Sequence, residues 1–248
     1  MFRLSQLFES VGNQVERKRL LTHALKLQRE RGSDLEVART LRHLSETNQQ
    51  MGLCKTGILL VKEAQEIYER LGVTVEQAKC LMGLARLLHK GGQFDAAEGA
   101  AMRGINLLPE KGEQFLVCEF HRVLGHAYQH KGETQKAIHH FEVALGIASP
   151  FDWHYHLFWI HYSLAWLFYR GDEFEDACAH IERAKSHTVN SVYYLGYAVE
   201  TQARIWRRQR RLEEARAEVL RAADIYERLG ATKDVEDCRE LLRQIEKE

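Results

Sequence analysis

Residues 124–145 read "LGHAYQHKGETQKAIHHFEVAL", and the punctuation of this stretch decides the fold. Before Gly132, Leu124 and Tyr128 lie four residues apart; after it, Ala137, Phe141 and Ala144 follow at steps of four and three. Both sets carry the roughly 3.6-residue period of a helix that buries one face. A glycine between them supplies positive φ without a Cβ clash, which suits a helix C-cap or a tight turn. The stretch is predicted as helix, turn, helix.

Working outward, the same punctuation recurs. Gly12, Gly52, Gly92 and Gly132 are 40 residues apart, and Gly32, Gly72 and Gly112 keep the same interval. Two interleaved series imply two breaks per repeat. Apolar residues recur at helical spacing around them: Leu41 and Leu44, then Leu81, Leu84 and Leu88, then Leu164 and Phe168. Ser33 with Glu36, and Thr74 with Gln77, have capping-box spacing and are predicted to start helices. Only two prolines occur, Pro109 and Pro150, both between repeats.

These residues resemble the tetratricopeptide repeat (TPR). The quoted stretch matches through Leu124, Gly125, Tyr128, Gly132, Ala137, Phe141 and Ala144, and the preceding unit through Leu81, Leu84, Gly92, Phe94, Ala97 and Pro109. Elsewhere the spacing survives substitution: Asp172 and Arg210 stand at turn-glycine positions, and Gly57 where Ala is usual. The resemblance implies an all-α, right-handed solenoid of about six hairpins over 1–248, with units near 1–32, 36–72, 76–112, 116–150, 156–188 and 194–230 and a capping helix at 233–247. Ala97, Ala137, Ala177 and Ala215 fall where paired helices approach closely. The first helix, roughly residues 2–10, is short, which suggests a chain continuing something longer. A narrower resemblance, through "EQAKCLMGLARLLHKGGQFDAAE" and "LLPEKGEQFLVC", is to the TPR tails of fungal NOD-like receptors, which follow a STAND ATPase domain. No GxxxxGK[ST] phosphate loop occurs, so nucleotide chemistry is assigned elsewhere.

In the TPR family the first helix of each hairpin lines the concave surface. The corresponding positions hold Arg39, Arg42, Lys79, Arg86, Lys90, Arg122, Arg170, Arg204, Arg207 and Arg208 against Glu46, Glu119 and Glu200. That is an excess of seven positive charges on a chain whose 35 basic and 35 acidic residues otherwise cancel. A one-signed groove captures counter-charged ligands, and the arginine fork suits carboxylate or phosphate. An acidic or phosphorylated protein segment is the expected partner. The ninth positions, Glu46, Arg86, His126, Trp166 and Arg204, lack the Asn of the chaperone-type carboxylate clamp.

Residues 158–169, "FWIHYSLAWLFY", carry two stripes. Leu164, Ala165 and Phe168 take inward positions, whereas Trp159, Tyr162, Trp166 and Tyr169 step by three, four and three along another face. Flanked by Arg170 and Arg204, those four aromatics are a candidate hot spot for an apolar side chain beside acids, or else packing against the next helix. With them, Arg42, Lys79, Arg86, Arg122, His126 and Arg207 complete the candidate ligand-binding set.

Other chemistries find less support. His126 and His130 share a helix face with His89 nearby in the adjoining unit, but a metalloprotease HExxH would need Glu where Ala127 stands. His139 and His140, adjacent, point to different sides. Five scattered cysteines without a CxxC pair indicate reduced thiols. No GxSxG or flanked Cys nucleophile occurs, and "RIWRRQRR", 204–211, ends a helix, where cations meet the negative dipole end. No cofactor, metal, membrane span, signal peptide or catalytic role is expected, nucleic acid is disfavoured, and a cytoplasmic interaction module follows. A structural spacer or oligomerisation scaffold is the alternative.

Overall fold

The computed structural model describes residues 13–109, 112–189 and 191–248. Gly12 and the short helix expected at 2–10 lie outside them. All regular structure among the described residues is helical: α1 (Gln14–Arg31), α2 (Asp34–Gln50), α3 (Cys54–Arg70), α4 (Thr74–Lys90), α5 (Phe94–Leu107), α6 (Gln114–Lys131), α7 (Thr134–Ala148), a 3-10 turn (Ser149–Phe151), α8 (His154–Arg170), α9 (Phe174–Ser186), α10 (Val192–Arg208), α11 (Leu212–Arg228) and α12 (Thr232–Ile245). Among the described residues no helix is long and apolar enough to cross a membrane. The chain falls into two compact units, Met1–His140 and Phe141–Glu248.

One turn recurs at nearly every helix junction. A left-handed residue follows the helix: Gly32, Gly52, Gly72, Gly92, Gly132 and Gly230, and also Asp172 and Arg210, each at φ +61°. The next amide bonds back five residues, as Leu53 N–H does to Asn48 C=O (2.8 Å) and Gln93 N–H to Leu88 C=O (2.9 Å). That closure satisfies carbonyls the helix end would otherwise orphan. The same residue then starts the next helix, its carbonyl accepting from Gly57 N–H (3.0 Å) or Ala97 N–H (2.9 Å).

This turn displaces the expected capping boxes. Ser33 is an N-cap whose side chain makes no capping bond, and Thr74 lies inside its helix, behind the N-cap Val73. The closure holds the linking residue near ψ 58–86°, short of the extended backbone from which a hydroxyl reaches the first-turn amides. Ser191, at φ −152° and ψ 100°, is extended and does cap Tyr194 N–H (3.3 Å). Asn13, one bond longer than serine, caps Glu16 N–H at 3.1 Å.

Within each hairpin the chain pairs α2 with α3, α4 with α5, α8 with α9 and α10 with α11. Ala97, Ala137, Ala177 and Ala215 are fully buried, as the close helix approach requires. In the first unit a Cβ on Gly57 would lie 3.0 Å from Leu87, and one on Gly104 only 2.0 Å from the Phe120 ring. In the second, Phe158, Ala165, Ile181, Ala198 and Ile205 form one buried cluster, and Val219, Tyr226, Val235, Cys238, Leu241 and Ile245 belong to another, closed by α12. Neighbouring first helices also touch, α2 with α4, α4 with α6, and α8 with α10, so within each unit these helices form the inner side.

Candidate functional site

In the first unit the inner helices carry the predicted basic residues, and all but Lys90, which donates to the Gln49 carbonyl (3.1 Å), meet a carboxylate. Arg42 donates to Glu46 (2.6 Å) and lies 3.6 Å from Glu76, which also receives Lys79 (2.7 Å). Glu46 lies 3.9 Å from Arg17, a buried arginine of α1, and its carboxyl is held below the usual range by His43 and by both arginines, against the upward pull of burial. Arg122 grips Glu119 (2.8 Å), and Arg86 approaches the same carboxylate at 3.9 Å. A cavity of about 350 Å³ opens here, lined by Gln49, Arg86, His89, Lys90, Arg122, Val123 and His126.

His126 is pushed down to about 3, first by burial and then by Arg122 and His89, so it is a neutral wall residue. The His89 ring lies 5.7 Å from His126 and 5.2 Å from His130, which stacks on Phe94 at 4.5 Å. Among the described residues no three His, Cys, Asp or Glu side chains converge as metal ligands. Cys80, Cys118 and Cys238 are buried free thiols pushed up to about 12 by desolvation. They are poor nucleophiles.

In the second unit Trp159, Tyr162, Trp166 and Tyr169 are half-buried and lie in one edge-to-face row, Trp159 to Tyr162 at 5.6 Å, Tyr162 to Trp166 at 6.4 Å, Trp166 to Tyr169 at 5.3 Å. The inward stripe separates from it as expected: Leu164 and Ala165 are fully buried and Phe168 packs at the edge of their cluster. Part of the row is covered by the next inner helix, where Tyr194 lies 5.4 Å and Tyr197 6.1 Å from Trp159. Tyr162 also accepts from the Thr201 hydroxyl at 3.4 Å. The Trp159 Nε1 donor is buried without a hydrogen-bond acceptor.

Beside this row sits a cavity of about 240 Å³ lined by Tyr169, Arg204, Arg207, Arg208, Arg210 and Glu248. Arg204 pairs with Glu200 (2.6 Å), and Arg208 pairs with Asp172 while lying over the rings of Tyr169 and Phe174. Arg170 is exposed and has no ion pair among the described residues.

The predicted residues thus sit on inner helices, but Glu76, Asp172 and Glu248, which neutralise several of them, come from positions outside the family's concave set. Sequence reasoning also missed three imidazole pairs with facing Nδ1 atoms: His121 with His140 (3.0 Å), His161 with His180 (3.0 Å) and His154 with His187 (3.2 Å). The signal was present, because the first two pairs are 19 residues apart and one 40-residue repeat out of register.

No family model matches the sequence, and no curated protein matches it. Solved structures do. The chain is similar to BtubC (BKLC) from P. vanneervenii, with a TM-score of 0.76 at 16% identity over 88% of this chain and 92% of that one. It is similar to a STAND signal-transduction ATPase with a tetratricopeptide repeat sensor from Pyrococcus horikoshii, with a TM-score of 0.70 at 13% identity over 98% of this chain and 41% of that one. It also resembles a Rap conjugation gene regulator of the plasmid pLS20 in complex with a Phr peptide, with a TM-score of 0.68 at 14% identity over 98% and 73% of the two chains. Likeness at such identities speaks for the fold, and it agrees with paired helices, small residues at their contacts and a left-handed residue at most turns. The chain has the fold of the tetratricopeptide repeat proteins.

Proposed function

We propose that the chain is a noncatalytic recognition module of the cytoplasm that takes an acidic or phosphorylated segment of a protein partner along its inner helix faces. The observation that carries this reading is the half-buried aromatic row Trp159–Tyr162–Trp166–Tyr169, which adjoins an arginine-lined cavity in the second unit. Rings of this kind anchor an apolar side chain, and arginines beside them select a neighbouring acid. The Rap regulator bound to a Phr peptide, and the STAND ATPase in which such repeats form a sensor, lend the reading analogy. By that analogy and the resemblance to fungal receptor tails, the module serves as the sensor of a larger NOD-like receptor.

Selection of displayed random peptides on the immobilised protein tests it. The expected consensus joins Asp or Glu to a large apolar residue. Trp166→Ala should weaken a selected peptide by about 1–2 kcal/mol at unchanged helicity, and added salt should weaken it further. A basic consensus, or binding indifferent to both changes, would remove the proposal in favour of a spacer.

A further inference from the structure

The arginine cavity of the second unit holds an occupant from its own chain. Arg207 directs Nε (2.8 Å) and Nη2 (2.5 Å) at one oxygen of Glu248, and Arg210 directs Nη1 at the other (3.1 Å). Arg207 Nη1 is steadied separately by Gln244 Oε1 at 2.5 Å. Three charge-assisted donors from two guanidinium groups therefore converge on one carboxylate, a geometry suited to any planar or tetrahedral oxyanion.

The charges do not balance. Glu200 neutralises Arg204 and Asp172 neutralises Arg208, but Arg207 and Arg210 share Glu248. The side chains of the cavity network therefore set four guanidinium groups against three carboxylates. Hydrogen bonding from Arg207 holds the Glu248 carboxyl below its ordinary range, so the occupant is ionised at neutral pH.

The backbone points to the same place. Among the turns of this unit Gly230 keeps the glycine, whereas Asp152, Asp172 and Arg210 are left-handed without one, the last two at φ +61°. Such a conformation is strained for a residue that carries a Cβ. The charges of these last two join the ion network of this one cavity: Arg210 holds Glu248, and Asp172 holds the cavity arginine Arg208.

We propose that the cradle of Arg207 and Arg210 is an oxyanion-binding site for an acidic side chain of a partner protein segment, and that Glu248 occupies it as an internal stand-in that the incoming anion displaces. The site rests on the preceding reading only in taking the partner to be a protein segment. Tyr169 forms one wall, so the residue next to the acid meets the aromatic row. Displacement makes Glu248 a competitor, and its removal should raise affinity.

The probes are a fluorescent hexaglutamate peptide and a peptide of equal length whose only charged side chain is one phosphoserine, which separate carboxylate from phosphate as the anion. Glu248→Gln should bind at least one of them about tenfold more tightly than the parent protein. Arg210→Gln, at an exposed position where folding is not at stake, should bind more weakly and should cancel the gain when combined with Glu248→Gln. Unchanged or weaker binding by Glu248→Gln at native helicity overturns the proposal, as does Arg210→Gln that binds like the parent. If Trp166→Ala abolishes binding while the cradle variants do nothing, the groove stands and the cradle falls. If the cradle variants act and Trp166→Ala does not, the cradle stands alone.

Discussion

At the residue scale, two glycines of one hairpin do opposite work. Gly92 is left-handed at φ +74° with open space around its Cβ position, so Gly92→Ala should cost only the conformational penalty, about 1 kcal/mol. Gly104 lies inside α5, where alanine ordinarily helps a helix. Its Cβ would sit 2.0 Å from the Phe120 ring, so Gly104→Ala should destabilise by about 3 kcal/mol. Urea melts of the two variants check the order, and a more stable Gly104→Ala would mean that the ring does not pack there. The turn glycine was legible in the sequence because it repeats every 40 residues. The packing glycine was not, because its reason is an aromatic ring contributed by the following helix.

At the scale of elements, α12 closes the second unit through Val235, Cys238, Leu241 and Ile245, all buried against α10 and α11. Leu241→Ala should therefore cost about 3 kcal/mol. Because repeat contacts run between neighbours, amide exchange should accelerate in α10 to α12 while α2 to α4 keep their protection. Uniform acceleration along the chain would contradict that locality. The helices, their order and their turns could be read from periodicity and glycine, since both are local signals. Capping by Ser33 and Thr74 was misread because the amide after each left-handed residue closes the preceding helix and fixes the next start. The candidate site was legible only in part. Helical phase separated Trp159, Tyr162, Trp166 and Tyr169 from the core stripe, but their cover by Tyr194 and Tyr197 depends on the next inner helix. The pairing of Lys79 with Glu76 and of Arg207 with Glu248 likewise depends on acids that no position rule includes.

At the scale of the whole molecule, half-buried and buried imidazoles in both units tie stability to pH. His121 is pushed down to about 4 and His161 to about 3, each first by burial and then by its facing partner, His140 or His180. His126 is held down to about 3 by the same dominant cause. Their folded affinities for protons lie below those of the unfolded chain, near 6.5, so the unfolded state binds more protons as pH falls. Stability should be fully present above about pH 6.5 and fall progressively toward about pH 4. Thermal melts at pH 7.5 and pH 5, with the drop reduced in His121→Gln, check this; equal melting temperatures would mean that the imidazoles are solvated. The recurring turn has a consequence for how such a chain changes length. Gly52 and Gly92 close their helices in the same way, so loss of residues 53–92 would join Gly52 to Gln93 across an unaltered seam. A change in length by one whole repeat therefore leaves every remaining turn intact, and its cost falls on the contacts between the hairpins it brings together.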